Sequence, residues 1–327
     1  MKTIPLIDLQ ALLADIANNG GETLKQLRFA SEAVGFFALV NHGIDLVLIT
    51  NLRSAIEDYF QKPVAEKQRM EILSDNYRGY IPMASFTPNQ DEGLSDLYEG
   101  YKLHFEIPDD DPICNACDLY GPNRWPEAFP SLKLAVTEYW QAMNDLSEHL
   151  LEAFALMMGL PASVLLQTLE KPLTNMTLLH YPPAKPNESS FGIHPHKDTD
   201  LFTLLYPDAV GGLALKTRAG DWIEATGPDD AIIVNSGNML ETWSGGRILS
   251  TPHRVINSSG KERYSFPYFV VPRYDVMIEP LVEPLPDFEW TAVSSGFISA
   301  EVWRTNKPDE VASDPRLNLG SLHHETV

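Results

Sequence analysis

The chain has 327 residues, enough for about two ordinary domains or one large β-rich domain with additions, and enough to bury a sizeable core. Hydrophobic residues make up 44% and charged residues 21%, a globular balance that excludes disorder as the global state. Against 24 Lys and Arg stand 45 Asp and Glu, a formal net charge of −21, which argues against a protein that grips nucleic acid or an anionic membrane through its general surface.

The N-terminal residues show neither the apolar core nor the cleavage site of a signal peptide, and no run approaches the roughly 20 apolar residues of a membrane span. A cytoplasmic protein is expected. The two cysteines, Cys114 and Cys117, form a Cys-x-x-Cys pair. The second pair of a zinc ribbon is missing, and acidic and turn-forming residues flank it, so it reads as a loop pair.

In chain order, Ile4 to Leu9 predicts a short strand, and apolar periodicity predicts helices over 9–17 and 22–34, separated by Gly20-Gly21. Gly35 to Val40 is an apolar run closed by Asn41-His42-Gly43, a buried strand ending in a turn. Helices follow over 46–60 and 63–72. Residues 74–124 read as a long connection with a strand near Tyr101 to Phe105. One long helix is expected over 126–159, with Trp140, Met143, Leu146, Leu150, Phe154 and Met157 as its apolar stripe and Gly159 as its stop. After a helix over 162–169 the pattern becomes β-type: 176–181, 201–206, 212–216, 222–225, 231–235, 253–257 and 264–271, divided by Gly, Pro and Asp turns. Many short strands at this spacing predict a sandwich or barrel, here a β-core surrounded by helices.

The densest chemistry lies at His194-Pro195-His196-Lys197-Asp198. Two residues apart on a strand, His196 and Asp198 would share a face, and His253 beside a second strand could supply a third ligand. Two histidines and one carboxylate leave open positions on an octahedral ion, the pattern of non-haem Fe(II) sites. The plain alternative is a set of ordinary half-buried histidines. His194 has the spacing to compete as a ligand, but the distance from Asp198 to Thr203-Leu204-Leu205 sets the register, so His194 is expected to line the pocket instead. Arg263 and Ser265 also share a strand face, where a guanidinium fork beside a hydroxyl suits a carboxylate. His42 reads as a structural turn residue. His104, His149, His323 and His324 have no visible partner in the sequence. Tyr80, Phe86 and Phe269 are aromatic candidates for lining a pocket, with core packing as the alternative role.

Together these residues resemble the 2-oxoglutarate/Fe(II)-dependent oxygenases of the isopenicillin N synthase-like branch. That pattern stands here as His196-Lys197-Asp198 with Thr203-Leu204-Leu205, then His253-Arg254-Val255, then Arg263-Tyr264-Ser265. Ile4 to Leu9, Gly35 to Gly43 and Gly121 to Pro126 resemble the N-terminal region of the same branch, so the likeness covers roughly residues 4–275. The resemblance implies a mainly β core with a helical surround: a double-stranded β-helix, or jelly roll, with an N-terminal α/β region and a long supporting helix. Four parts are expected: an N-terminal region (1–125) packed on the core, the supporting helices (126–171), the Fe(II)/2-oxoglutarate core (172–275) and a C-terminal helix and coil segment (276–327).

It further implies that His196, Asp198 and His253 hold Fe(II), that 2-oxoglutarate chelates the metal while Arg263, Ser265 and Tyr181 hold its far end, and that O2 takes the last position. A C–H bond of a small organic molecule would be oxidised with release of succinate and CO2, hydroxylation being the usual outcome and desaturation or ring closure the variants. One position departs from the pattern. Many members carry Asn-x-Tyr before the metal strand, whereas here Leu179-His180-Tyr181 keeps the Tyr and replaces the Asn. Isopenicillin N synthase also lacks that Asn, so an oxidase or cyclase using O2 without 2-oxoglutarate is the alternative. A non-catalytic jelly roll that binds a small molecule is a third possibility, and the intact triad stands against it. The sequence points to no nucleic-acid or membrane partner and leaves the oligomeric state open.

Overall fold

Residue choices at the element boundaries explain much of the local structure. Asp8 closes the first strand and caps the first helix, its carboxylate accepting from the Ala11 N–H at 3.1 Å, and Asp45 does the same for Val47 at 2.8 Å. The computed structural model describes residues 3–73, 77–86, 95–183 and 191–306, without the side chains of 303–306; His323 and His324 lie outside this range. The first half contains β1 (Leu6–Asp8), α1 (Leu9–Ala17), α2 (Glu22–Ala33), β2 (Phe36–Val40), α3 (Leu46–Phe60), α4 (Val64–Lys67), β3 (Gly79–Ile81), β4 (Glu99–His104), α5 (Pro130–Met158) and α6 (Ala162–Leu166). The second half contains β5 (Asn175–Tyr181), β6 (Ile193–His196), β7 (Phe202–Leu205), β8 (Leu213–Lys216), β9 (Trp222–Glu224), β10 (Ile232–Ser236), α7 (Asn238–Trp243), β11 (His253–Val255), β12 (Arg263–Ser265), β13 (Tyr268–Val270), β14 (Met277–Ile278), β15 (Val293–Ser294) and α8 (Ser295–Asn306).

Several elements differ from expectation, three of them instructively. The long helix begins at Pro130 because Pro126 and Phe129 close a turn first (Phe129 N to Pro126 O, 2.9 Å), and Pro130 suits the first helical turn, where no N–H is needed. The strand expected over 264–271 is broken into β12 and β13 at Phe266-Pro267, since Pro267 has no N–H for the ladder. The six-residue helix α7 was not foreseen.

Among the described residues the strands form one nine-stranded sheet, ordered β1-β2-β10-β7-β13-β5-β4-β3 with β12 also on β5, one four-stranded sheet ordered β6-β11-β8-β9, and the β14-β15 pair. The four-stranded sheet and β10, β7, β13, β5 and β12 make the double-stranded β-helix, a jelly-roll core. Strands from the N-terminal half extend the larger sheet at both ends. Helix α5 supports it from outside: Tyr139 meets Phe266 edge-on at 5.3 Å, Trp140 meets Tyr268 at 5.0 Å, and Phe154 lies 5.5 Å from Phe202. No helix among the described residues is long and apolar enough to cross a membrane. Cys114 and Cys117 are both free, and burial pushes the Cys117 thiol up to about 12, which leaves it an unreactive core group.

The pleat of β5 divides its residues between two environments. Met176 and Leu178 are fully buried in the hydrophobic core, whereas Asn175, Thr177 and Leu179 face the interior of the jelly roll, where they line a cavity. On the outer side, Glu99 of β4 pairs with His180 of β5 in the strand register and gathers a buried polar cluster. It accepts from Lys67 Nζ (2.6 and 2.8 Å), Tyr80 Oη (2.6 Å) and His180 Nδ1 (2.8 Å). Burial opposes the Glu99 charge, yet the hydrogen bonds from His180, Lys67 and Tyr80 hold its carboxyl below the ordinary range. Tyr80 therefore belongs to this cluster and to the core. Lys67→Met leaves Glu99 buried without its cation, so stability falls by about 3 kcal/mol or more, read as a lower midpoint in urea with an unchanged slope.

Candidate active site

His196 and His253 meet because their strands pair. β6 and β11 are antiparallel neighbours, with His196 directly opposite His253, and the two rings lie 4.3 Å apart between centroids. Asp198 arrives differently from the expected strand alternation. β6 ends at His196, and Asp198 sits in the loop that crosses to the larger sheet. Its backbone carbonyl accepts from Asn238 N at 2.8 Å. Its Oδ2 accepts from Thr203 Oγ1 of β7 at 2.5 Å and from Asn235 Nδ2 of β10 at 2.7 Å. The shared face is thus made by tertiary hydrogen bonds rather than by strand periodicity.

These contacts leave one oxygen and two nitrogens converging. His196 Nδ1 donates to the His194 carbonyl (2.8 Å) and His253 Nδ1 donates to the Thr251 carbonyl (3.2 Å), which directs both Nε2 lone pairs inward. Asp198 Oδ1 lies 3.5 Å from His196 Nε2 and 3.7 Å from His253 Nε2. One ligand atom from each residue falls within 4.8 Å of the others. Ligand atoms about 2.1 Å from one ion stand no more than about 4.2 Å apart, so the two measured separations suit a shared cation. Burial opposes a charge on Asp198, but the His253 and His196 rings and the Thr203 hydroxyl hold its carboxyl well below the usual range. Burial lowers His253 to about 4, which keeps it neutral and able to ligate. The donor set, its directed lone pairs and its ionised carboxylate fit a divalent iron with open positions.

One neighbour completes the network. The Thr203 hydroxyl also lies 2.9 Å from Asp200 Oδ2, yet it has a single proton, which it gives to Asp198. Asp200 is accordingly the donor in its own contact with Thr203, and burial followed by the Asp198 charge pushes its carboxyl well above the usual range. A neutral acid here keeps a second negative charge away from the triad.

His194 turns the other way. Its Nδ1 and backbone N–H both meet Asp96 Oδ1, at 2.7 and 2.9 Å, and it lines the cavity beside the triad. That cavity has a volume of about 460 Å³, within the range of small-molecule sites. Phe86 and Phe269 line it, while Tyr80 does not. Elsewhere, His42 braces its turn, with contacts to Asp230 O (2.6 Å) and Ile44 N (3.1 Å).

Further along the interior face, Arg263 of β12 sits opposite Tyr181 of β5, and Ser265 sits opposite Leu179. Arg263 is 2% exposed, donates from Nε to the Gly211 carbonyl at 2.7 Å and holds its guanidinium 4.7 Å from the Tyr181 ring centroid. Its Nη1 and the Tyr181 hydroxyl are buried without a hydrogen-bond partner among the described residues. Burial pushes the Tyr181 phenol up to about 12, with Arg263 pulling against it, so Tyr181 is a protonated donor at neutral pH. A buried guanidinium with a spare N–H group and a buried hydroxyl with no acceptor have the donor chemistry of a carboxylate receptor.

Sequence models agree with this arrangement. The model of the non-haem dioxygenase N-terminal region (named for morphine synthesis) matches residues 4–128, and that of the 2OG-Fe(II) oxygenase superfamily matches residues 173–272. The homoarginine-6-hydroxylase 2-ODD-C23 of Glycine max is 30% identical over 295 residues, covering 85% of this chain and 88% of its own. The chain belongs to the 2-oxoglutarate/Fe(II)-dependent oxygenases. The 2-oxoglutarate-dependent dioxygenase citB of Monascus ruber is 32% identical over 291 residues, 85% of this oxygenase and 87% of citB. A full-length Neurospora crassa protein, solved in complex with alpha-KG, superposes with a TM-score of 0.77 at 25% identity, covering 91% of this chain and 95% of that one. The oxygenase uses Fe(II), 2-oxoglutarate and O2, and the cosubstrate-free oxidase and the non-catalytic jelly roll are set aside. Structural neighbours bind small molecules: thymine in the Neurospora crassa protein and JA in JOX2.

Sequence patterns named the triad and the Arg-x-Ser pair. They did not single out Asn235 and Thr203 as the residues that aim Asp198, or Asp96 as the partner of His194. Thr203 stood in the pattern as part of Thr203-Leu204-Leu205, and Asn235 stood out only as a polar residue, with Ser236, at the end of the apolar strand β10.

Proposed function

We propose that His196, Asp198 and His253 are the iron ligands of this oxygenase and that Arg263, Ser265 and Tyr181 bind the far carboxylate of 2-oxoglutarate. The enzyme hydroxylates a small organic molecule in the cytoplasm, without a nucleic-acid or membrane partner. The placement of Asp198 Oδ1 between two inward-facing Nε2 atoms carries the metal assignment. The bound iron with 2-oxoglutarate supplies the oxidising power for C–H cleavage. The chain's own tasks are then positional. Thr203 and Asn235 hold Asp198 Oδ2 so that Oδ1 faces the metal, the His194 and Thr251 carbonyls set the imidazole tautomers, and Arg263 fixes the distal end of the cosubstrate. Leu179 is paired with Ser265 and lines the cavity, so at this position the chain would offer the cosubstrate shape rather than an amide. The four-part division at 125, 171 and 275 accompanies this assignment.

Proton NMR of the Co(II)-substituted protein tests the ligand set. Two strongly shifted, solvent-exchangeable imidazole N–H signals are expected, because both ligand histidines keep Nδ1–H on a carbonyl. His253→Ala removes one of them. A third such signal would make His194 a ligand and overturn the assignment, as would their complete absence.

A further inference from the structure

The strand β4 carries a cation on its interior face. Lys102 is opposite Thr177 in the β4–β5 register, so its side chain points into the jelly roll, as does that of His104, away from the Glu99 cluster. It lines the same cavity as His196 and Asp198. Its Nζ donates to Asn175 Oδ1 at 2.6 Å and to Thr177 Oγ1 at 3.0 Å, and it lies 5.2 Å from the Phe269 ring centroid. Both partners are neutral, and among the described residues Lys102 makes no ion pair. An ammonium has three donors, so one remains for a ligand. Burial pulls Lys102 down to about 8, while the charge of Asp198 acts the other way; it is still mainly protonated at neutral pH. A desolvated cation held by neutral groups is costly unless an anion arrives, and Asp198 is committed to the metal.

We propose that Lys102 anchors the substrate of this oxygenase by receiving the carboxylate of a small organic acid, whose apolar body lies against Phe269 and Val271 and whose oxidised carbon reaches the iron ligands. The inference rests on His196, Asp198 and His253 being those ligands. Phe269 and Val271 line the cavity together with Leu173, an apolar wall next to the ammonium. The same chemistry would also suit the metal-proximal carboxylate of 2-oxoglutarate, so the test separates the two.

The probes are 3-phenylpropionate and octanoate, each matched with its primary amide. They are titrated by anaerobic calorimetry into the protein loaded with Fe(II) and 2-oxoglutarate. Each acid is expected to bind at least about tenfold more tightly than its amide, a difference of about 1.4 kcal/mol. Lys102→Met removes that preference and leaves amide binding and the Kd for 2-oxoglutarate within about twofold, whereas Lys102→Arg keeps the preference. Acids that bind no better than amides to the loaded wild-type protein overturn the proposal without any variant. A Lys102→Met protein that loses 2-oxoglutarate instead assigns the ammonium to the cosubstrate, and also overturns it. A wild-type protein that takes up neither Fe(II) nor 2-oxoglutarate overturns the iron-site assignment and this proposal together.

Discussion

Asp198→Ala lowers Fe(II) affinity by more than about 100-fold and reduces succinate formation to background. Removing a residue that only orients a ligand typically costs 10–100-fold in metal affinity, and Asp198 is the charged member of the proposed ligand set. The variant removes the anion between the two Nε2 atoms, which lie 3.5 and 3.7 Å from Oδ1. A graded companion follows from the hydrogen bonds: Thr203→Val keeps all three ligands but frees Asp198 Oδ2 from its 2.5 Å contact, so Fe(II) affinity falls by roughly 10–100-fold. Anaerobic equilibrium dialysis reads both. An Asp198→Ala protein that holds Fe(II) within about tenfold of the wild type sinks the triad.

Arg263→Met raises the Kd for 2-oxoglutarate by about 100-fold or more, while the cosubstrate-free protein loses no stability. The two halves have one cause. With a dicarboxylate bound, the guanidinium makes buried charge-assisted hydrogen bonds, and truncating one partner of such a pair costs about 2–5 kcal/mol. Without it, Arg263 is a buried cation that among the described residues has the Gly211 carbonyl and the Tyr181 ring beside it and an unmatched Nη1. Replacing an uncompensated buried charge with an apolar side chain of similar reach is neutral or stabilising. Calorimetry for 2-oxoglutarate and a thermal melt of the free protein measure the two. Arg263→Lys recovers part of the affinity, since a point charge remains but the planar fork is lost. A variant that unfolds in the melt while keeping 2-oxoglutarate affinity would show that Arg263 is a structural residue, not an anion receptor.

The apolar elements were legible in the residues themselves, and the proposed ligands in their resemblance to a family pattern. The periodicity of α5, the run at Phe36–Val40 and the turn-divided strands of the second half each reflect burial of one face, a demand that hydrophobicity imposes locally. His196, Asp198, His253, Arg263 and Ser265 stood out because together they resemble the family pattern, whereas the spacing of any one pair alone is common. The Phe266-Pro267 break shows where periodicity alone was insufficient: a missing N–H divides an apolar run that pattern treats as one strand.

Tertiary structure decided the rest, for a physical reason visible at two positions. Asp198 is aimed by Thr203, on the strand that follows its own loop, and by Asn235, from a strand 37 residues further along the chain, and no local period encodes contacts between separate strands. In β4, Tyr101 and Leu103 alternate with Gly100, Lys102 and His104. A polar face of this kind in an isolated strand belongs to solvent. Here the second sheet of the jelly roll closes over it, and the same alternation that marks Tyr101 and Leu103 as core places Lys102 inside the catalytic cavity. The sequence by itself determined which face of each strand is apolar and which residue types can ligate iron; only the packing of one sheet on the other decided that a polar face lines the cavity beside the triad.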